Sequence, residues 1–125
     1  MPGKGKILIV DDDAALVKML NVRLLAEGFE TELAVDGNTA VTLANERTPD
    51  LIILDIAMPG VTGVDVIQKL QSTSSDSVIP VIIMTAYPHM IRLVEGYGCV
   101  RECFTKPFDL PLFITRIQEV LSESA

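Results

Sequence analysis

Four short apolar runs each stop at a residue able to do chemistry. ILIV (7–10) runs into Asp11 and Asp12, LIIL (51–54) into Asp55, VIIM (81–84) into Thr85, and CFT (103–105) into Lys106. The carboxyl ends of parallel strands share one edge of their sheet, and open α/β folds bind ligands in the crevice outside it. If the runs are neighbouring parallel strands, residues from 11 to 106 meet in one pocket. That pocket would hold Asp11, Asp12, Asp55, a hydroxyl and a single ammonium. Clustered acids with one lysine point to a divalent cation and phosphoryl chemistry.

Regular alternation supplies the elements that would position these residues. Lys6 to Val10 is a β-branched run, and Asp13 stands where a helix cap belongs. Leu16, Met19, Leu20 and Leu24 fall at helical spacing within Ala14 to Ala26, and Gly28 follows as a stop. Glu30 to Val35 is a partly polar strand, suited to a sheet edge. Asp36-Gly37 turns the chain into a second helix, about Asn38 to Arg47. Leu51 to Leu54 is wholly apolar, as a strand covered on both faces would be. A third helix is expected from about Gly63 to Gln71, then a polar connector, Ser72 to Ser77, read as a flexible link far from the acids. Pro80 to Met84 and Val100 to Phe104 are the last strands. Leu110 to Leu121 closes the chain as a helix, with Phe113, Ile114, Ile117, Val120 and Leu121 on one stripe. Five strand–helix units imply a parallel sheet with helices on both faces, joined by right-handed crossovers.

Composition limits the possible roles. With 125 residues and 49% hydrophobic content, the expectation is one domain over 1–125, with a core about 5–121. Net charge of −7 and scattered basic residues argue against a nucleic-acid or anionic-membrane surface. No apolar stretch approaches the roughly 18 residues of a membrane span. The four-residue run after Lys6 is too short for a signal peptide, so a cytoplasmic protein is expected. Cys99 and Cys103, four apart, match no zinc or redox spacing and read as small packing groups.

ILIVDDD, LIILDIAMPGVTG, VIIMTA and FTKPF, in that order, resemble the receiver domain of bacterial two-component response regulators. The resemblance covers nearly the whole chain. It implies a flavodoxin-like (βα)5 fold with strand order 2-1-3-4-5. It also implies phosphorelay signalling without an enzymatic role beyond the domain's own phosphorylation and dephosphorylation. On this resemblance Asp55 is the phosphoacceptor, a carboxylate nucleophile. Asp11, Asp12, Asp55 and the carbonyl of Ala57 hold Mg²⁺ or Mn²⁺. Thr85 and Lys106 contact the phosphoryl oxygens, aided by the backbone N–H groups of Ala57 and Ala86. The Lys106-Pro107 peptide is expected to be cis. The implied partners are a sensor histidine kinase or phosphotransfer protein and a downstream protein target. Homodimerisation through the face around the fourth and fifth helices is a further use of that output surface. His89, the only histidine, is expected on an exposed loop.

Two features depart from the family pattern. The aromatic switch residue three before the lysine is here Cys103, and alternation points the neighbouring Phe104 to the opposite face. Pro88 to Gly98 holds two glycines and a proline, so the fourth helix should be short or irregular. Ala57 and Tyr87, each two beyond a site residue, should slow loss of the phosphoryl group: one cannot orient a water and the other is bulky. Two alternatives stand beside this reading. One is a pseudo-receiver that only binds partners. The other is a phosphatase of the haloacid-dehalogenase type, which wants a second acid where Ala57 stands.

Overall fold

The computed structural model describes residues 5–73 and 79–124. Strands β1 (Lys6–Val10), β2 (Glu30–Ala34), β3 (Leu51–Asp55), β4 (Val81–Thr85) and β5 (Val100–Thr105) form one sheet, all neighbours parallel, in the order β2-β1-β3-β4-β5. Helices α1 (Ala14–Ala26), α2 (Gly37–Arg47), α3 (Gly63–Thr73) and α4 (Leu110–Ser124) cover its two faces. A 3₁₀ segment, Pro88–Leu93, replaces a helix in the fourth crossover. The connector read at 72–77 overlaps α3 at Ser72 and Thr73, and its remainder lies outside the described residues.

Strand alternation divides the core into two layers. Leu8, Val10, Ile52, Leu54 and Ile83 pack with Ala40, Ala44, Val66 and Ile67 on one side. Ile7, Ile9, Ile53 and Met84 pack with Leu20, Leu24, Phe113 and Ile117 on the other. Strands β3 and β4 are buried along their whole length, which explains their unbroken apolar sequence. On α1 the inward stripe uses Val17, whereas Met19 is exposed.

Strands β3 and β4 extend one residue beyond their apolar runs, to Asp55 and Thr85, and β5 ends on Thr105, just before Lys106. Ladder bonding continues into the chemistry, so these side chains stand on rigid backbone. Pro80 lacks an N–H and stays outside β4, yet its carbonyl accepts from Ile52 N–H at 3.0 Å. In β5, Val100 pairs with Val81 and Glu102 with Ile82, leaving Arg101 as a bulge. That extra residue brings Cys103 beside Ile83, on the face that Thr85 shares two residues later. Cys103 packs toward the α2–α3 layer and Phe104 toward the α1–α4 layer.

Candidate functional site

Asp11, Asp55, Thr85 and Lys106 converge at the carboxyl edge of the sheet because their strands are adjacent and in register. Val10 pairs with Leu54, so the next residues, Asp11 and Asp55, are neighbours. Thr85 pairs with Thr105, and the Lys106 N–H donates to the Thr85 carbonyl at 2.7 Å. Asp12 follows in the turn before α1. One carboxylate oxygen each from Asp11, Asp12 and Asp55 fit within 4.8 Å of one another. Asp11 and Asp55 are buried and Asp12 is exposed, so the cluster opens to solvent on one side.

Among the described residues, one cation faces these acids. Lys106 Nζ lies 2.6 Å from Asp11 Oδ2 and 3.3 Å from Asp55 Oδ2. Burial alone would lower the Lys106 pKa, but its bond to Asp11 and the charges of Asp11 and Asp55 outweigh this and raise it. Burial pushes the Asp11 carboxyl up, against the bonds from Lys106 and the Asp13 N–H. A single ammonium shared between two buried carboxylates leaves surplus negative charge. At 4.8 Å two carboxylates repel by about 3 kcal/mol at an effective dielectric near 20.

Local backbone bonds fix each acid. Asp11 Oδ1 accepts from Asp13 N–H at 2.9 Å. Asp13, the cap of α1, accepts from the N–H groups of Ala15 and Leu16. Asp55 Oδ1 accepts from Ala57 N–H at 3.0 Å. Thr85 Oγ1 is buried and accepts from Tyr87 N–H at 3.0 Å, leaving its own proton to donate. Ala86 and Tyr87 are exposed at the rim, where Tyr87 and His89 meet edge to face. The Lys106-Pro107 peptide is cis. Cys103 is half-buried, and burial with the nearby charges of Glu102 and Glu95 raises its thiol pKa, which disfavours a reactive thiolate.

The donor set suits a hard divalent cation: the three carboxylates supply anionic oxygens and none of the three offers nitrogen or sulfur. The loop from Ile56 to Thr62 borders this cluster, and two glycines let it close. A Cβ on Gly63 would stand 2.5 Å from Ile56 Cα and 2.6 Å from the Asp55 carbonyl oxygen. A Cβ on Gly37 would stand 2.5 Å from the Val61 carbonyl oxygen. Neither approach was visible in the sequence, where Asp36-Gly37 read only as a turn.

Residues 7–118 match the family model of the response regulator receiver domain. The DNA-binding response regulator MtrA of Mycobacterium tuberculosis (strain ATCC 25618 / H37Rv) is 37% identical over 116 residues, covering 92% of this chain and 50% of that protein. Response regulator PleD of Caulobacter vibrioides is 36% identical over 117 residues, covering 93% of this chain and 26% of that protein. The chain therefore spans half or less of these relatives. Among solved structures, TrrA of Thermotoga maritima, in complex with Mg(2+)-BeF, is 30% identical with a TM-score of 0.79, covering 92% of this chain and 97% of that one. The Francisella response regulator 1452 receiver domain is 26% identical with a TM-score of 0.84, covering 97% of this chain and 99% of that one.

Proposed function

The chain belongs to the response regulator receiver domain family, which places it in phosphorelay signal transduction, and we propose that Asp55 is its phosphoacceptor. One observation carries the assignment. The Asp55 carboxylate stands at a strand end within reach of Lys106, the one ammonium that the described residues place beside it, and next to two further acids. A phosphohistidine on a sensor kinase or phosphotransfer protein would be the donor. An Asp55 oxygen attacks phosphorus, the O–P bond forms as the P–N bond breaks, and the imidazole departs with the electron pair and takes up a proton. Phosphoryl transfer asks a protein mainly for positioning and charge neutralisation. Lys106 would pair with one equatorial oxygen, the Thr85 hydroxyl would donate to another, and the N–H groups of Ala57 and Ala86 would supply further donors.

Asp11, Asp12, Asp55 and the Ala57 carbonyl would hold Mg²⁺ or Mn²⁺, which when bound neutralises charge on the transferring group. We take residues 1–125 as one domain with its core about 5–121, acting in the cytoplasm and catalysing only its own phosphorylation and dephosphorylation. No helix among the described residues is long and apolar enough to cross a membrane. Output would pass to a protein target through the face of the 3₁₀ segment, β5 and α4, and homodimerisation would use the same face. DNA binding, named for the MtrA relative, is not carried over to this acidic domain. The deciding experiment is incubation with acetyl phosphate and Mg²⁺ followed by intact-mass analysis. Uptake of one stable phosphoryl supports the proposal, no uptake rejects it, and rapid turnover of donor without uptake assigns a phosphatase.

Three further results are expected. Millimolar Mg²⁺ should raise the melting temperature by a few degrees, because a ligand bound to the folded state alone stabilises it. Asp12→Asn should raise the metal-free melting temperature and lose most of that response, as followed by calorimetry with and without Mg²⁺. Tyr87→Ala should shorten the lifetime of the phosphorylated form severalfold by uncovering the phosphorus. Tyr87 is 52% exposed beside Thr85, so its ring can move over the site without breaking core packing. An unchanged dephosphorylation rate would remove Tyr87 from the account.

A further inference from the structure

We infer that Gly37 is a positioning residue for the acid cluster, acting through Val61 on the loop that carries Ala57. This rests on the reading of Asp11, Asp12 and Asp55 as a Mg²⁺ site. Gly37 is buried and opens α2, directly after the cap Asp36. Its φ lies outside the left-handed region, unlike Gly60 at +73°, so backbone conformation does not call for glycine there. Space does. A Cβ would sit 2.5 Å from both Val61 O and Val61 Cγ1, and 2.7 Å from Val61 Cβ. Ordinary carbon contacts begin near 3.5 Å, so a methyl group demands roughly 1 Å of displacement.

The displacement falls on the loop. Helix α2 is held by the buried Ala40 and Ala44 and by the Asp36 cap on Thr39, and cannot back away. The loop is closed at its far end, where Gly63 N–H donates to the Ile56 carbonyl at 3.2 Å. Thr62 and Asp65 also cap each other at the start of α3, with Thr62 N–H donating to Asp65 Oδ2 at 3.0 Å. Movement at Val61 therefore has no slack toward α3 and passes to Ala57 through Gly60. Ala57 N–H holds Asp55 Oδ1, so the same movement disturbs a carboxylate of the cluster. Mg²⁺ tolerates little departure from octahedral geometry. The contact makes α2, which carries none of the acids, part of what sets cation affinity.

Calorimetric titration with Mg²⁺, paired with thermal melts, tests this on four proteins of residues 1–125: the parent, Gly37→Ala, Val61→Ala and Gly96→Ala. Gly96 is the control, since a Cβ there meets nothing within 4 Å. Gly37→Ala should bind Mg²⁺ about tenfold more weakly, the usual scale for residues that orient metal ligands. Val61→Ala, which removes the methyls of the prop, should weaken binding about threefold, and Gly96→Ala should match the parent. A Gly37→Ala protein that melts lower but binds within about twofold of the parent overturns the inference, leaving a purely structural glycine. So does equal weakening by Gly96→Ala. If Gly37→Ala does not fold, Val61→Ala decides, and an unchanged Kd there overturns it. A parent that binds no Mg²⁺ removes the metal reading itself, and this inference with it.

Discussion

Asp55→Asn is expected to take up no phosphoryl group from acetyl phosphate and Mg²⁺, while keeping its fold. The substitution preserves shape and replaces the nucleophilic oxygen with an amide that cannot form an acyl phosphate. Asp55 is almost fully buried at the end of β3, and its Oδ1 bond from Ala57 N–H can be kept by the amide oxygen. Removing one of several crowded negative charges should leave stability equal or higher, since each close pair costs about 3 kcal/mol at the dielectric used above. Intact mass and a denaturant midpoint measure both outcomes. Uptake by the variant equal to the parent would move the phosphoacceptor elsewhere and undo the assignment.

The second large effect is expected from Lys106→Met, which keeps most of the side chain's length and deletes its charge. Asp11, buried with its Oδ2 2.6 Å from Nζ, then loses its cation, and stranding a buried charge costs on the order of 3 kcal/mol. The deficit should depend on pH. Burial already raises the Asp11 pKa above its ordinary 3.8, so the folded state holds a proton there more readily than the unfolded chain does. Stability assigned to that proton is present below 3.8 and lost as the pH rises through the raised value. The variant's deficit should therefore be greatest near neutrality and shrink as the solution is acidified through that window. Mg²⁺ should stabilise the variant more than the parent, since it replaces the counter-charge that Lys106 supplied. Phosphoryl uptake should slow about 100-fold, the scale for losing one preorganised donor to transition-state charge. Denaturant melts across pH, with and without Mg²⁺, check the first claims and timed intact mass the last. A flat pH dependence would show that Lys106 does not balance Asp11.

Much of this was legible in the residues. An apolar run ending on Asp, Thr or Lys signals a parallel strand, fully buried in β3 and β4 and only partly buried in β5, and names what its end presents, so the pocket's membership followed from four short segments. Strand order did not follow from periodicity, which is silent on which strands pair. It came from resemblance and agrees with the observed sheet. The bulge at Arg101 was hidden because a bulge exists only relative to a partner strand, here β4. The inward place of Val17 in preference to Met19 depends on how α1 rolls against β1 and β2, a choice that several leucines at helical spacing leave open. The short fourth crossover was foreseeable from Pro88, Gly96 and Gly98, which deprive that stretch of a stable helix. The contact between Gly37 and Val61 joins positions remote in sequence, and no local pattern marks it.

Gly5, where the described chain enters β1, lies close to Leu121 in the last turns of α4: a Cβ at Gly5 would be 3.7 Å from Leu121 Cδ1. Strand starts and this helix end occupy the rim opposite the carboxylates. A tether or fused module grafted next to Gly5 or Leu121 would thus hang beneath the sheet, leaving the mouth above clear for a docking donor. Joining Gly5 to the end of α4 with a short peptide and reopening the chain elsewhere should yield a circular permutant that still charges.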